Sequence, residues 1–334
     1  MCNIFIQNIK GNVLLLHGGN KMKIDVKTLL TQQHHSYRQL RLKSLNAQLI
    51  VGRHRFNKNG NSFMELHSPP YSEVDAGVVE IKGKAICLYT HYSCGFGHCL
   101  NGIISAYSQY LQLGGEKPDF LLHFVNAPAH LKQLITLIHD IENIPLFLVY
   151  DSKSYQFENL TFFQHIFTPH PTSVHAVQKI VRYVREIKIS SSPRNIAILK
   201  TTGVRKLDNN YNPRGNLNEK VISRVMTSVN MQLLDHSKLD VLALLKFIVH
   251  CDLYITSWGA TTAWGIFLQP HQHCFCIVQR SYWHEVAKRQ NLCFHSDLFA
   301  NFTIMRTFVS NHLPPAEEAE LRKQLTKWIT SHSM

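Results

Sequence analysis

Patterns typical of β-strands alternate with patterns typical of amphipathic helices along almost the whole of this 334-residue chain. The alternation predicts parallel sheets, because two parallel strands must be joined by a crossover, and the crossover is usually a helix. A chain of this length can bury two separate cores. We therefore predict an α/β protein with two Rossmann-like domains facing each other across a cleft, followed by a C-terminal helix.

The second half of the chain carries the most regular alternation. Strand patterns begin at Asn195, Met231, Leu253 and Cys274, and a helical pattern follows each of them. The predicted helices span 218–229, 238–250, 261–268 and 282–289. An amphipathic pattern over 314–331, opened by prolines and acidic residues, predicts a final helix.

The first half is less regular. Its predicted helices span 26–45, 98–113 and 128–138. Its predicted strands span 2–9, 13–17, 48–52, 77–81, 85–89, 120–124 and 146–150. The stretch 53–75 is polar and contains Asn59-Gly60 and a pair of prolines, which predicts a loop.

A basic helix predicted over 173–189 is followed by three serines and Pro193, a composition typical of a hinge. This hinge sets the predicted domain boundaries at 1–190, 191–310 and 311–334. The first segment is an N-terminal Rossmann-like domain, the second a C-terminal one, and the third the final helix. Ligands of such sheets bind at the carboxyl ends of the strands, in the cleft.

Basic residues outnumber acidic ones by 35 to 22, which favours anionic partners. The alternatives are a diffuse basic surface, a phosphate-lined cleft, peripheral docking on an anionic membrane, and nucleic acid. The absence of zinc-finger and RNA-recognition motifs makes nucleic acid the weakest of these. No apolar run approaches the roughly 20 residues that span a bilayer, and no secretory signal opens the chain. We therefore predict a cytoplasmic protein whose eight cysteines stay reduced.

The first candidate site is the turn over 255–261, where an apolar strand leads into Ser257, Trp258, Gly259, Ala260 and Thr261. A helix that starts after such a turn exposes N–H groups and partial positive charge to a phosphate. Gly259 lets a ligand approach the main chain closely, and Thr261 offers a hydroxyl. Ordinary strand-to-helix packing is the alternative explanation of this turn.

A basic loop follows the predicted strand at 195–199 and contains Lys200, Arg205 and Arg214. Cations at the carboxyl end of a strand suit a diphosphate, and arginine binds it through two hydrogen bonds. The alternative is a solvated surface loop. No nucleophile-elbow, zinc-protease or P-loop motif occurs, which removes the commonest hydrolase and P-loop functions.

His98 stands where a glycine-rich turn over 91–97 meets a predicted helix. The positive end of a helix disfavours the imidazolium form, so this histidine suits a neutral general base. The alternative is a histidine that only hydrogen-bonds the turn. The segment 271–276 holds two His and two Cys, but no second pair at zinc spacing accompanies it, so we predict no metal site.

Taken in order, these segments resemble glycosyltransferase family 61. The segment 95–100 is similar to the family's Asn-aromatic-Gly-His segment at the start of the first helix, and 195–200 to its strand ending in a basic residue. The segment 214–219 is similar to its Arg-x-Leu-x-Asn-Glu segment. The stretch 255–267 resembles its Gly-x-His-Gly-Ala helix start, and 276–279 the strand that follows.

The resemblance implies a GT-B fold, in which the C-terminal domain binds a nucleotide-sugar and the N-terminal domain the acceptor. It also implies inverting transfer of the sugar to a glycan, glycolipid or protein, with no cofactor and no obligatory metal. The chain departs from the family at Trp258, which replaces a His, at Lys200, which replaces an Arg, and at Gln279, which replaces an acid. A catalytically inactive binding protein with the same fold is therefore the alternative hypothesis, and a basic nucleic-acid-binding protein is the third.

Overall fold

The computed structural model of the chain describes residues 6–9, 12–17, 20–25, 44–50, 55–58, 61–65, 78–89, 96–113, 116–150, 154–163, 173–187, 193–199, 217–236, 238–269, 271–279, 305–310 and 312–332. The strands in these ranges are β1 (Ile6–Ile9), β2 (Asn12–His17), β3 (Asn20–Asp25), β4 (Ser44–Ile50), β5 (Arg55–Lys58), β6 (Asn61–Glu65), β7 (Val78–Cys87), β8 (Phe120–Phe124), β9 (Leu146–Val149), β10 (Ser154–Phe162), β11 (Asn195–Ile198), β12 (Gln232–Leu233), β13 (Leu253–Ser257), β14 (His273–Gln279) and β15 (Met305–Val309). The α-helices are α1 (Phe96–Leu113), α2 (Ala129–Glu142), α3 (Val174–Glu186), α4 (Glu219–Ser228), α5 (Val241–His250) and α6 (Pro315–His332), and a 3₁₀ helix spans Ala260–Phe267.

Contacts divide the chain into two compact units. The first unit is Thr31–Tyr183, and the second joins Met1–Leu30 to Val184–Met334. The sequence analysis placed the boundary at 190 and treated 311–334 as a separate helix. That helix, α6, lies within the second unit.

The second unit contains a five-stranded sheet in the order β12-β11-β13-β14-β15, and every pair in it is parallel. Every residue of β13 is buried, as expected of a parallel strand covered on both faces. The predicted α/β class is confirmed by this sheet and its connecting helices. β15 was not predicted, and the helix predicted at 282–289 lies outside the described residues.

Two helices of this unit begin at side-chain caps. Asn218 accepts a hydrogen bond from the Val221 N–H at 3.2 Å, and Asp240 accepts one from the Ala243 N–H at 2.6 Å. Such caps satisfy N–H groups that the first helical turn leaves without partners. The cap at Asp240 explains why α5 begins at 241 rather than at the predicted 238.

Helix α6 packs its apolar face into the core of the second unit. Leu321, Leu325 and Trp328 recur at helical spacing and are all buried, in the same cluster as Ile255 and Phe275. The Trp328 and Phe275 rings meet edge to face, with centroids 5.4 Å apart. The C-terminal helix is therefore part of this core rather than an appendage.

The first unit contains a seven-stranded sheet in the order β6-β5-β4-β10-β7-β8-β9. The four strands β10, β7, β8 and β9 are parallel, and α1 and α2 connect β7 to β8 and β8 to β9. The remaining pairs, from β10 through β4 and β5 to β6, are antiparallel. The prediction of a wholly parallel sheet is therefore wrong for this half of the unit.

The antiparallel arm corrects the predicted loop at 53–75. β5 and β6 lie within that stretch and pair with Lys58 opposite Asn61, and their register shifts between Phe56 and Asn57. Asn59-Gly60 stands between them, and Asn-Gly is the strongest short-range signal for a tight hairpin. The polar composition of 53–75 predicted a loop, whereas the Asn-Gly pair is the feature that marks the hairpin.

Near the N-terminus, β1, β2 and β3 form a small antiparallel sheet. β3 was not predicted. Most of the helix predicted at 26–45 lies outside the described residues, but Ser44 and Leu45 belong to β4, so its predicted C-terminal end is wrong. No helix within the described ranges combines the length and apolar character needed to cross a membrane.

Candidate functional site

The strand order of the second unit defines one place where a ligand crevice is expected. From β11 the chain moves outward to β12, then returns past β11 to β13 and continues through β14 to β15. This is the 2-1-3-4-5 order of doubly wound sheets, in which the direction of sheet building reverses between the first and third strands. At such a reversal the helices after the two strands leave toward opposite faces, and a crevice opens outside the carboxyl ends.

The carboxyl ends of β11 and β13 lie side by side at this reversal. Ile198 pairs with Thr256, so Leu199 and Ser257 lie at the same edge of the sheet. Trp258 continues the ladder by donating its backbone N–H to the Ile277 carbonyl at 2.8 Å. Its side chain is half-buried rather than enclosed. The two segments that the sequence analysis singled out therefore begin at one edge.

Gly259 adopts a backbone conformation that favours glycine, with φ of 124° and ψ of −148°. A Cβ atom added there would meet no atom of the described chain within 4 Å. Glycine is therefore required by the backbone angle and not by a lack of space. Among the described residues, none crowds the main chain at this turn, as the close approach of a ligand requires.

The hydroxyl groups of the turn are engaged with each other and with the main chain. The Thr261 hydroxyl donates to the Ser257 carbonyl at 2.8 Å and lies 3.2 Å from the Ser257 hydroxyl. The Thr262 hydroxyl donates to the Gly259 carbonyl at 2.6 Å. The turn is thus braced internally, so an anion here would rely on main-chain N–H groups and on basic side chains.

A buried tyrosine supports the same turn from within the core. Tyr254 is fully buried on β13, and its hydroxyl donates to the Thr261 carbonyl at 3.1 Å. Burial, followed by the nearby Cys274 thiol, raises the pKa of Tyr254 well above its usual value. The phenol therefore stays protonated and remains a hydrogen-bond donor to the turn.

The helix that follows the turn differs from the prediction. Ala260–Phe267 is a 3₁₀ helix and not the α-helix predicted over 261–268. The hydrogen bond from the Thr262 N–H to the Gly259 carbonyl, at 3.1 Å, has three-residue spacing. Adjacent β-branched threonines and Gly265 are weak α-helix formers, which leaves packing to decide the conformation.

The remaining predicted site residues are placed only in part. Lys200, Arg205 and Arg214 lie outside the described residues, as does the side chain of Ala260. The backbone of His98 lies in the first turn of α1, as predicted, and its side chain is outside the described part of the chain. The segment 271–276 contributes the buried Cys274 and Cys276 to β14. No group of His, Cys, Asp or Glu in the described ranges is arranged to hold a metal ion.

His123 on β8 is a candidate that the sequence analysis missed. Its Nδ1 atom is buried and has no hydrogen-bond partner among the described residues. Lys132, whose ammonium donates to the Val125 carbonyl at 2.9 Å, lies close enough to affect its titration. Burial first, and then the charge of Lys132, lower the pKa of His123, which favours a neutral imidazole. A single His inside an apolar strand gives no signal in sequence, because most such residues are core residues.

Comparison with known proteins adds no family. No protein-family model matches this chain, and no curated protein sequence matches it significantly. The similarity of the quoted segments to glycosyltransferase family 61 therefore remains a prediction from short motifs. The fold class and the geometry of the turn at Gly259 are what the structure adds to it.

Proposed function

We propose that the protein is a glycosyltransferase that binds a nucleotide-sugar at the carboxyl ends of β11 and β13. The observation that carries this proposal is the reversal of strand order at that edge, occupied on one side by the open, glycine-dependent turn at Gly259. Leu199, the residue before the basic loop in sequence, lies on the other side. Diphosphates bind at such reversals in doubly wound sheets, where main-chain N–H groups and cations meet.

In the proposed reaction, a hydroxyl of a glycan, glycolipid or protein attacks the anomeric carbon of the donor. The bond from that carbon to the diphosphate breaks, and the configuration inverts. Lys200, Arg205 and Arg214 stabilise the charge of the departing diphosphate. His98 takes the proton of the acceptor hydroxyl. The proposal includes the GT-B arrangement, in which the unit that carries His98 faces the donor unit across a cleft.

A second hypothesis from another functional class is a protein that binds nucleotide-sugars without transferring them. The internal engagement of the Ser257, Thr261 and Thr262 hydroxyls favours it, because these groups leave the donor site few side-chain donors. Trp258, at the position where the related family has a His, still offers a half-buried ring for stacking on a base or a sugar. Both hypotheses predict binding, and only the first predicts released nucleotide.

Calorimetric titration of the full chain with UDP-, GDP- and CMP-sugars tests the shared claim. We expect one donor class to bind, and we expect Lys200→Gln to weaken that binding about ten-fold, as loss of one charge-assisted hydrogen bond does. Lys323→Gln is the matched control, because Lys323 is an exposed lysine of α6. Absence of binding by every donor, or equal loss in both variants, contradicts the donor site.

Transfer is tested separately with the donor that binds. Release of nucleotide in the presence of a glycan acceptor supports the enzyme, and binding without release supports the binding protein. For an active enzyme, we expect His98→Ala to lower the turnover number by about 10²-fold or more, with unchanged donor affinity. His123→Ala is the comparison variant, on β8, the strand that follows α1. A larger loss of turnover in His123→Ala than in His98→Ala would identify His123 on β8 as the general base instead.

A further inference from the structure

The first unit contains a cleft of about 200 Å³ that the proposed function does not use. Tyr110 near the end of α1, Glu142 at the end of α2 and Thr161 on β10 line it. The residues just before β8 close one side. The cleft is therefore at the amino end of β8, whereas α1, which carries His98, begins after the carboxyl end of β7.

A fixed carboxylate stands in this cleft. Glu142 Oε1 accepts a hydrogen bond from Lys179 Nζ at 2.6 Å and another from the Tyr107 hydroxyl. The Glu142 side chain is only 11% exposed. Its second oxygen, Oε2, accepts no hydrogen bond from any described residue. Glu142 therefore presents one held oxygen and one uncommitted oxygen.

The charges around the cleft are balanced in pairs. Lys179 neutralises Glu142, and Lys84 on β7 forms an ion pair with Glu116. An anionic ligand would meet two carboxylates, and a cationic ligand would compete with two ammonium groups that are already in place. The lining therefore favours a ligand without net charge.

Uncommitted hydroxyl groups accompany the carboxylate. The hydroxyls of Tyr110 and Thr161 make no hydrogen bond with the described part of the chain, and both residues line the cleft. The Tyr110 ring is stacked on Tyr107, with centroids 6.4 Å apart and planes at 15°, which fixes its direction. Burial first, and then the charge of Glu142, raise the pKa of Tyr110, so its hydroxyl remains a donor.

Apolar surface completes the lining. Ile86 from β7 and Leu111 from α1 lie among the same wall residues. A sugar ring presents hydroxyl donors and acceptors along its edge and C–H groups on its faces, so it complements a wall that combines uncommitted oxygens with apolar carbon. Polar groups at a few fixed points on an apolar wall are typical of small-molecule sites.

We propose that this cleft binds a neutral polyhydroxylated molecule the size of one monosaccharide. Glu142 Oε2 accepts hydrogen bonds from its hydroxyl groups, and the Tyr110 and Thr161 hydroxyls fix its orientation. The site lies wholly within residues 31–183 and does not depend on glycosyl transfer in the second unit. It would serve as an auxiliary carbohydrate site.

Saturation-transfer NMR on the full chain with D-glucose tests the proposal, with inorganic phosphate as the anionic probe. We expect transfer to the glucose ring protons at millimolar concentration, and no competition by phosphate. Tyr110→Phe and Thr161→Val each remove one hydroxyl with little change of shape, and each is expected to weaken binding about five-fold, as loss of one hydrogen bond does. Thr136→Val, on α2 and outside the cleft lining, is the matched control and keeps full binding.

The native chain alone can overturn the proposal: no saturation transfer to the D-glucose ring protons at these concentrations rejects the site. If Tyr110→Phe, Thr161→Val and Thr136→Val all bind glucose with equal affinity, glucose binds elsewhere and the proposed site is rejected as well. Displacement of glucose by phosphate contradicts the argument from paired charges. Circular dichroism of each variant verifies the fold, and the native titration decides the proposal if a variant fails to fold.

Discussion

The two sheets of this protein differ in how they are built. The sheet of the second unit is wholly parallel, and its central strand β13 is buried at every residue. The sheet of the first unit is parallel only from β10 to β9, and it continues into an antiparallel arm that ends in β6. A parallel strand buried on both faces reads as a continuous apolar run, whereas a strand with one solvated face alternates apolar and polar residues.

The comparison also extends to the helices that cover the sheets. α4 and α5 begin at side-chain caps, and α6 inserts a tryptophan into the core of the second unit. In the first unit, α2 begins without a side-chain cap at Pro128. Among the described helix starts, the side-chain caps at α4 and α5 thus distinguish the second unit from α2 of the first. The predictions below test this difference.

The largest expected effect is the loss of the α6 anchor in the second unit. Trp328→Ala removes a side chain that is 2% exposed and is expected to cost about 3–5 kcal/mol of unfolding free energy. All four tryptophans lie in 184–334, so tryptophan fluorescence in urea follows this unit alone. Circular dichroism, to which both units contribute, follows the whole chain.

Trp328→Phe is the matched control for that change. Trp328 Nε1 has no hydrogen-bond partner among the described residues, so phenylalanine loses volume without losing a bond. We expect Trp328→Phe to lower the unfolding free energy by less than half as much as Trp328→Ala does. Equal costs for the two variants would show that the ring edge against Phe275 does not anchor α6.

Each unit contains a glycine with positive φ, and the two should differ in their sensitivity to alanine. At Gly83, with φ of 96°, an added Cβ would lie 2.6 Å from Asp119 Oδ2, whereas at Gly259 it would meet no atom of the described residues within 4 Å. Backbone strain alone costs about 1–3 kcal/mol. We expect about 2 kcal/mol for Gly259→Ala and about 3 kcal/mol for Gly83→Ala, measured by denaturant unfolding.

A double substitution separates strain from collision at Gly83. Asp119 Oδ2 accepts a hydrogen bond from the Lys84 N–H at 2.8 Å, which it must give up if it moves away. Removal of the carboxylate in Asp119→Ala leaves only the strain, so the two changes together should cost about 1 kcal/mol less than their sum. Strict additivity would show that the collision contributes nothing.

Acidification should weaken the second unit more than the first. Burial lowers the pKa of His236, His250 and His273 in the second unit, and of His123 in the first. When the pKa of a histidine is lower in the folded state, the unfolded chain binds its proton at a higher pH than the folded chain does. The free energy of unfolding is therefore unaffected well above pH 6.5 and falls as the pH drops through 6.5. We expect the urea midpoint followed by tryptophan fluorescence to decrease between about pH 7.5 and about pH 5.5.

His273 allows a direct test of that cause. Besides burial, the neighbouring His332 and His271 lower its pKa, while Asp252 opposes them, and the His273 and His332 rings lie 4.3 Å apart. His273→Gln removes the titrating group and should flatten the loss on acidification. A pH dependence equal to that of the native chain would exclude this pair as its source.

The smallest effect is expected at the edge of the first sheet. Leu148 on β9 is 44% exposed, so Leu148→Ser should change the unfolding free energy by about 0.5 kcal/mol or less. Circular dichroism in urea measures the change, with the buried neighbour Val149→Ser as the contrasting variant. A large loss at Leu148 would show that this edge is covered in solution.

Local sequence was sufficient wherever apolar runs and caps agreed. The strands at 120–124 and 253–257 were predicted with their observed bounds, and α4 was predicted with Asn218 at its start. Local sequence was insufficient for the hairpin of β5 and β6, where polar composition outweighed the Asn-Gly signal. β10 was missed because its pairing partners β4 and β7 are distant in sequence.

For the candidate site, the sequence identified the turn at Gly259, the basic loop that begins at Lys200, and His98, because each combines a strand end with glycine or a charge. It did not identify the paired charges around Glu142, since Lys179 and Tyr107 come from separate helices. Nor could it show that Thr261 bonds back to Ser257.

The sequence by itself determined the α/β class and the apolar strands of the second unit, and it singled out the turn at Gly259. These depend on residues close together in the chain. The tertiary structure alone decided the strand order that brings the ends of β11 and β13 together, the antiparallel arm, and the balanced charges of the cleft. Those features depend on which distant segments pair, and no local pattern encodes the choice of partner.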